Sequence, residues 1–314
     1  MHEVLKKPKA LQKGDKIQII APASSFDREA FLRGIAKIQS WGFEVIYRPD
    51  IFEKKFYLAG DTSRRVDELV GALYDPTVQA IFCARGGYGA MQLLPALENL
   101  SPVPEPKIFV GYSDLTVLLN FFHQKWNWPV FHGPVVAKDI GDKLDQSAEE
   151  SLLACLMSVK TLGRLAPEGL KPLFADRHHA PVEAEMVGGC LSLVVCSLGT
   201  SYQLETQGKI LYLEDVGERL YEIDRMLTHL RLAGLFAEVK GIVFGPLEDA
   251  HHDPEVVEAL LKDLLGDLNI PVLMGFPSGH ITGSWTLPFG VRIRLESKSP
   301  ALIFLESALA ERPS

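Results

Sequence analysis

In the run KIFVGYSDLTVLLNFF a hydrophobic stretch stops and an amphipathic one starts at Ser113. A sharp strand-to-helix turn lifts a hydroxyl clear of the backbone, and the free N–H groups at a helix start stabilise an oxyanion. That is the setting of a serine nucleophile in acyl transfer. Serine is equally a common helix N-cap, so the segment alone leaves both roles open. Leu115 stands where the pattern G-x-S-x-G would have its second glycine. The segment IFCARGGYGA places Gly86, Gly87 and Gly89 in a second strand-to-helix turn. Missing side chains there let backbone amides approach a ligand, and they serve a structural tight turn just as well. Arg85 heads that turn and carries a fork suited to a carboxylate.

Acyl transfer also needs a base and a group to orient it. KILYLEDVGE ends a strand-like run in Glu214, Asp215 and Glu218. Acids at strand ends are usually solvated, yet one can also hold a catalytic imidazole. GFPSGHITGSWTLPFG presents His280 on a Gly- and Pro-rich loop. A histidine so placed is an ordinary surface residue or a proton acceptor near neutral pH. His132, in FHGP, is the rival base. His251-His252-Asp253 and His178-His179 read as polar loop residues without a third ligand at helical spacing, so no metal site is expected. R-G-G-Y-G-A is not G-x-G-x-x-G, the first strand leads into APASS, and no P-loop occurs, so no nucleotide cofactor is expected.

These residues need a frame. In the first half, apolar runs alternate with helical patterns: KIQIIAP, FLRGIAKIQSWG, FEVIY, RRVDELVGAL, AIFCA, YGAMQLLPAL, KIFVGY, DLTVLLNFFHQ and PVFHGP. This β-α-β-α rhythm predicts an α/β fold with a parallel sheet covered on both faces, and ligands collect at the carboxyl ends of such strands. The loops 85–89 and 111–114 then share one rim. Gly42 is placed to follow the first helix as its C′ residue. A polar stretch follows, in which Ser147 and Glu150 have capping-box spacing. Beyond it the strand-like runs EAEMV, GKILYLE, VKGIVFG, IPVLMGFP and VRIRLE alternate with helices, one of them at about 220–236. The expected division is a nucleophile-bearing domain over 1–145, a linker over 146–178 and a second α/β domain over 179–314. A chain of 314 residues suits two domains of about 150 residues each.

A net charge of −8 with scattered basic residues argues against a nucleic-acid surface. Lys6 to Lys16 reads as a solvated arm, and the short apolar run after it does not make a secretory signal. No apolar stretch reaches the length of a bilayer span. Cys83, Cys155, Cys190 and Cys196 lie in apolar contexts without C-x-x-C spacing and read as buried reduced thiols. A cytoplasmic address is the simplest expectation.

The pieces GDKIQIIAPAS, YLAGDTSRRVDEL, IFCARGGYGA, VGYSDLT, HGPVV, MVGGCLSL, YLEDVGE with YEIDRML, FGPLED and GHITGSWTLPFG occur in one order along nearly the whole chain. Together they resemble the LD-carboxypeptidase (muramoyltetrapeptide carboxypeptidase) family of serine peptidases. The resemblance implies a flavodoxin-like N-terminal domain and a smaller, swivelling-type C-terminal α/β domain with the active site in the cleft between them. It implies Ser113 as nucleophile, Glu214 as acid and His280 as general base, with backbone donors at Asp114 and the Gly86-Gly87 turn. Arg85 is a candidate for the substrate carboxylate. The implied substrate is a muropeptide that loses a terminal D-alanine during cell-wall recycling, and the implied assembly is a homodimer. Two alternatives stand beside this reading. A microcin-immunity peptidase would cleave a peptide–nucleotide amide, with Trp285 or Trp126 stacking on the base. A non-catalytic ligand-binding protein would also suit two α/β lobes. Cys190 and Ser284 depart from the family pattern, which has Asn at both places.

Overall fold

The structure is a computed structural model that describes residues 4–142, 144–177, 179–248 and 253–312. The sequence candidates His178, His251 and His252 lie outside the described residues. The chain forms two compact units: one runs to Val159 and takes in Thr282–Pro288 and the chain from Ala308, and the other comprises Lys160–Ile281 and Phe289–Ser307.

In the first unit the order is β1 (Lys16–Ile20), α1 (Arg28–Ser40), β2 (Glu44–Ile46), α2 (Thr62–Tyr74), β3 (Val78–Cys83), α3 (Leu94–Leu97), β4 (Ile108–Gly111), α4 (Thr116–Trp126), β5 (Val130–His132) and α5 (Gln146–Met157). The strands pair in parallel in the order β2-β1-β3-β4-β5, and the strand Leu287–Phe289 borders β5. This is the flavodoxin-like arrangement. Continuous apolar strands such as IFVG, buried at every position, are what a sheet with both faces covered requires. The strand order reverses between β1 and β3, and in sheets of this kind ligands collect at the carboxyl ends of the strands at such a reversal. Helix boundaries are set by local chemistry. The Asp27 carboxylate accepts from the Ala30 N–H at 2.8 Å to start α1, a cap worth about 1 kcal/mol, and Gly42 at φ +97° follows its end.

Three local expectations change. The run YGAMQLLPAL is not one helix: a 3₁₀ turn over Ala90–Leu93 precedes the single turn of α3, because Pro95 has no N–H to continue an α-helical ladder from residue 91. The cap of α5 is Asp145, which accepts from the Ala148 N–H at 2.9 Å, and not Ser147, whose hydroxyl accepts from Trp285 Nε1. The Lys6–Lys16 segment is not a solvated arm, because its backbone N–H groups at Lys6, Ala10 and Leu11 bond to Asn127, Ala310 and Leu156 carbonyls, and Ala10 and Leu11 are buried.

The second unit contains β6 (Arg164–Leu165), β7 (Lys171–Pro172), β8 (Val182–Cys190), α6 (Leu191–Cys196), β9 (Ile210–Val216), α7 (Leu220–Leu232), β10 (Gly241–Glu248), α8 (Pro254–Leu265) and β11 (Val272–Met274). After the strand Leu287–Phe289 (β12) come β13 (Arg292–Glu296) and β14 (Ala301–Phe304). They build an eight-stranded mixed sheet, β6-β14-β13-β8-β9-β10-β11-β7, with β8 to β11 parallel and antiparallel strands at both flanks. Leu211, Leu213, Ile242 and Phe244 on one sheet face pack with Leu227, Leu230 and Leu261 of α7 and α8. Full burial of such a side chain is worth about 1.5–3 kcal/mol. The stretch expected as a linker, 146–178, thus carries α5, clustered with the first unit, and two edge strands of the second. The expectation of four buried thiols also needs correction: Cys83, Cys155 and Cys190 are buried, whereas Cys196 is exposed, on the face of α6 away from Leu191 and Val194.

Candidate active site

Ser113 follows β4 after one extended residue, Tyr112, and has φ +65°. A non-glycine residue in the left-handed region costs about 1–3 kcal/mol, and such strain concentrates at functional turns. The N-cap positions of the short 3₁₀ turn and of α4 fall on Tyr112 and Leu115, so the helix-cap role open to Ser113 is not the one it takes. The neighbouring turn is built to lie close to it. A Cβ on Gly86 would sit 3.0 Å from Ser113 Cβ and 3.3 Å from its Oγ, and one on Gly87, at φ +95°, would meet Ser24 Oγ at 2.4 Å. Only glycine allows both approaches. Arg85 is exposed and gives one N–H to the Ser25 carbonyl at 2.8 Å. Asp114 is buried, and its Oδ2 accepts from the Ala90 N–H at 2.8 Å.

In the second unit Glu214 lies near the end of β9 and is 0% exposed, so it is not the solvated acid that strand ends usually show. Its Oε2 accepts from His280 Nδ1 at 2.8 Å and from the His280 backbone N–H at 3.1 Å. A carboxylate only accepts, so this contact assigns a proton to Nδ1. Burial pushes the Glu214 carboxyl up, while the His280 hydrogen bond and charge pull it down. The loop reaches the carboxylate because residue 279 has no side chain: at φ +121°, a Cβ on Gly279 would lie 2.2 Å from Glu214 Oε2. Tyr212, fully buried, donates to the Ser278 carbonyl at 2.6 Å, and Gly245 leaves room for the Tyr212 hydroxyl. Nothing in periodicity singles out Tyr212, Gly245 or Gly279; their parts lie in close approaches between segments distant in sequence.

The first unit thus presents a strained serine beside a glycine turn, and the second a buried carboxylate–imidazole pair, each a kind of group that acyl transfer uses. Residues 17–133 match the LD-carboxypeptidase N-terminal domain and residues 183–295 match the LD-carboxypeptidase C-terminal domain. The chain belongs to the LD-carboxypeptidase family. It is 34% identical to a putative carboxypeptidase of Streptomyces coelicolor, covering 97% of this chain and 98% of that one. It is 32% identical to a probable murein peptide carboxypeptidase of Bacillus subtilis, over 97% and 96%. Among solved structures, muramoyltetrapeptide carboxypeptidase from Oxalobacter formigenes is similar with a TM-score of 0.78 at 28% identity, covering 91% of this chain and 97% of that one. The microcin C7 self-immunity protein MccF, solved with aspartyl sulfamoyl adenosine, gives 0.86 at 25% identity over 97% and 99%. Membership in a carboxypeptidase family makes the chain a peptidase and sets aside the non-catalytic alternative.

The residues that depart from the LD-carboxypeptidase pattern fall in distinct places. Cys190 is buried at the end of β8, in register with Glu214 on β9, with its Sγ 3.3 Å from Ser192 Oγ. Ser284 is half-buried in the segment that clusters with the first unit. Asp215 is buried, and its Oδ2 accepts from the Ser192 N–H at 2.7 Å. Glu218 is half-buried, and burial with Asp215 and Glu222 nearby raises its carboxyl. His132, the rival base, is 1% exposed with its ring edge-on to Tyr112 at 5.7 Å. Trp126 is a core residue packed edge-on and tilted among Phe121, Phe122 and Trp128, so it offers no face to a base. Among the described residues no group of three or more His, Cys, Asp or Glu is arranged to hold a metal ion, and no helix is long and apolar enough to cross a membrane.

Proposed function

We propose that this protein is a serine LD-carboxypeptidase that releases terminal D-alanine from muropeptide tetrapeptides in the cytoplasm, as a step in peptidoglycan recycling. The observation that carries the reading is the Glu214–His280 hydrogen bond, 2.8 Å long and anchored on a fully buried carboxylate. In this reading the bond fixes the orientation of the imidazole, and Nε2 is the nitrogen that accepts a proton. In this reading Nε2 takes the proton of Ser113 as Oγ attacks the scissile carbonyl. The backbone N–H groups of Asp114 and the Gly86-Gly87 turn receive the oxyanion. The imidazolium then protonates the leaving amine of D-alanine, and water, activated by the same nitrogen, releases the acyl group. Glu214 holds the tautomer and offsets the imidazolium charge. Arg85, exposed with donors beyond the one given to Ser25, is suited to the terminal carboxylate of the substrate.

The test is to incubate the protein with L-Ala-D-Glu-meso-diaminopimelate-D-Ala, the same peptide ending in L-alanine, and an aminoacyl-sulfamoyl-adenosine. Release of D-alanine at least about 100-fold faster than L-alanine is expected, a discrimination of about 2.7 kcal/mol. Preferential cleavage of the sulfamoyl nucleotide would instead assign the microcin-immunity reading.

A further inference from the structure

The carboxylate next to Ser113 is spent on a neighbouring loop, and that loop is the glycine turn. Asp114 is 2% exposed; its Oδ2 accepts from the Ala90 N–H at 2.8 Å, and the Gly89 N–H also donates to the carboxylate. From the other side comes Arg65 of α2, 0% exposed, whose Nη1 donates to the Gly89 carbonyl at 2.8 Å and to the Pro22 carbonyl at 2.7 Å. Its Nη2 is fixed in turn by Gln92 Oε1 at 2.6 Å and Thr62 Oγ1 at 3.2 Å. One peptide unit, Gly89–Ala90, is therefore held at its C=O by a buried cation and at its N–H by a buried anion. Gly89 must be glycine for this: at φ +129° a Cβ would lie 2.8 Å from Arg65 Nη1 and 2.6 Å from Leu58 Cδ2. A third hold comes from the segment after β1, where Ser24 Oγ accepts from the Tyr88 N–H at 3.0 Å and the Ser24 N–H donates to Gly86 O at 3.2 Å.

We propose that Asp114 and Arg65 are positioning residues for the reaction, which clamp the Gly89–Ala90 peptide and so fix the Gly86-Gly87 turn against Ser113. The inference rests on the reading of Ser113 as nucleophile. Its physical basis is tolerance. Donors that stabilise an oxyanion must be held to about 0.5 Å, and a glycine-rich loop has no side chains of its own to hold it. Burying two charged groups is costly unless hydrogen bonds satisfy them, and here most of those bonds end on the turn, on its approach at Pro22 or on side chains that orient Arg65, with one more from Arg65 Nε to the Asp61 carbonyl at 3.4 Å. The same bonds neutralise a carboxylate adjoining the place where negative charge develops. Burial raises the Asp114 carboxyl and Arg65 opposes it, as expected for an anion held by amides and a distant cation.

The experiment compares Asp114→Asn, Arg65→Met and Arg65→Lys with the unaltered chain on the tetrapeptide. The near-isosteric Asn keeps one acceptor oxygen and loses the charge; Lys keeps the charge but gathers its donors on a single nitrogen in place of the fork. The expected result is a fall in kcat of about 10²-fold for Asp114→Asn and Arg65→Met with KM within about threefold, and recovery of about tenfold of that loss in Arg65→Lys. Turnover is scaled to the folded fraction from circular dichroism, and tetrapeptide affinity is read separately in a Ser113→Ala background, where adding Asp114→Asn is expected to change nothing. Unchanged kcat per folded molecule, or a loss confined to KM, would overturn the clamp. If Ser113→Ala itself retains turnover, the nucleophile assignment fails; if it is inactive while Asp114→Asn behaves like the unaltered chain, only the clamp fails.

Discussion

Ser113→Ala is expected to lower kcat for D-alanine release by about 10⁶-fold while leaving KM and the melting temperature nearly unchanged. The size follows from the division of labour: without Oγ there is no acyl-enzyme, and what remains is water attack assisted by the oxyanion donors and binding alone. Stability is expected to hold because Ser113 is not a cap residue and sits in a left-handed conformation that alanine tolerates about as poorly as serine. The check is single-turnover kinetics with the tetrapeptide, together with thermal melts. A variant that keeps even a tenth of normal turnover would show that Ser113 is not the nucleophile.

The second large effect concerns Glu214, where activity and stability are expected to move in opposite directions. Glu214→Gln keeps an oxygen to accept from the His280 Nδ1–H and backbone N–H but removes the charge that offsets the imidazolium. A fall in kcat of about 10³–10⁴-fold is expected. For stability, burial raises the folded carboxyl above its ordinary value, so ionising the group costs the folded chain more than the unfolded one. Such a group contributes stability below its unfolded pKa and loses it as pH rises through the folded value. Gln escapes that loss. The melting temperature of the variant relative to the unaltered chain is therefore expected to climb as pH rises above the ordinary carboxyl range. A variant uniformly less stable at every pH, or one with normal turnover, would contradict the role given to this carboxylate.

Much of the fold is legible in the chain itself because parallel strands buried on both faces leave continuous apolar runs, and KIQII, IFVG and ILYLEDV stand out by composition alone. The illegible features depend on contacts across long separations. Ser147 has capping-box spacing, but Asp145 occupies the N-cap position and Trp285, distant in sequence, claims the Ser147 hydroxyl. The lysine-rich start has the composition of a solvated arm, and pattern does not show that Ala310 and Leu156 supply carbonyls to it. The proposed site divides in the same way. Ser113, His280 and Glu214 are legible as residue types at strand ends and loops. The burial of Glu214, the need for Gly279 beside it, and the grip of Arg65 on Gly89 come from atoms brought within 3 Å of each other by the fold. Trp126 illustrates the opposite error, since an aromatic residue available for stacking on paper is consumed by its own core.

The central claim is that Ser113 and His280 act as one chemical unit, and a double-mutant cycle tests it most directly. Turnover of the tetrapeptide is measured for Ser113→Ala, His280→Ala and the variant carrying both. Residues of one catalytic unit are grossly non-additive, so the expected result is that each single variant and the double variant share the same residual rate. Multiplied losses in the double variant, or normal turnover in either single one, would contradict the claim.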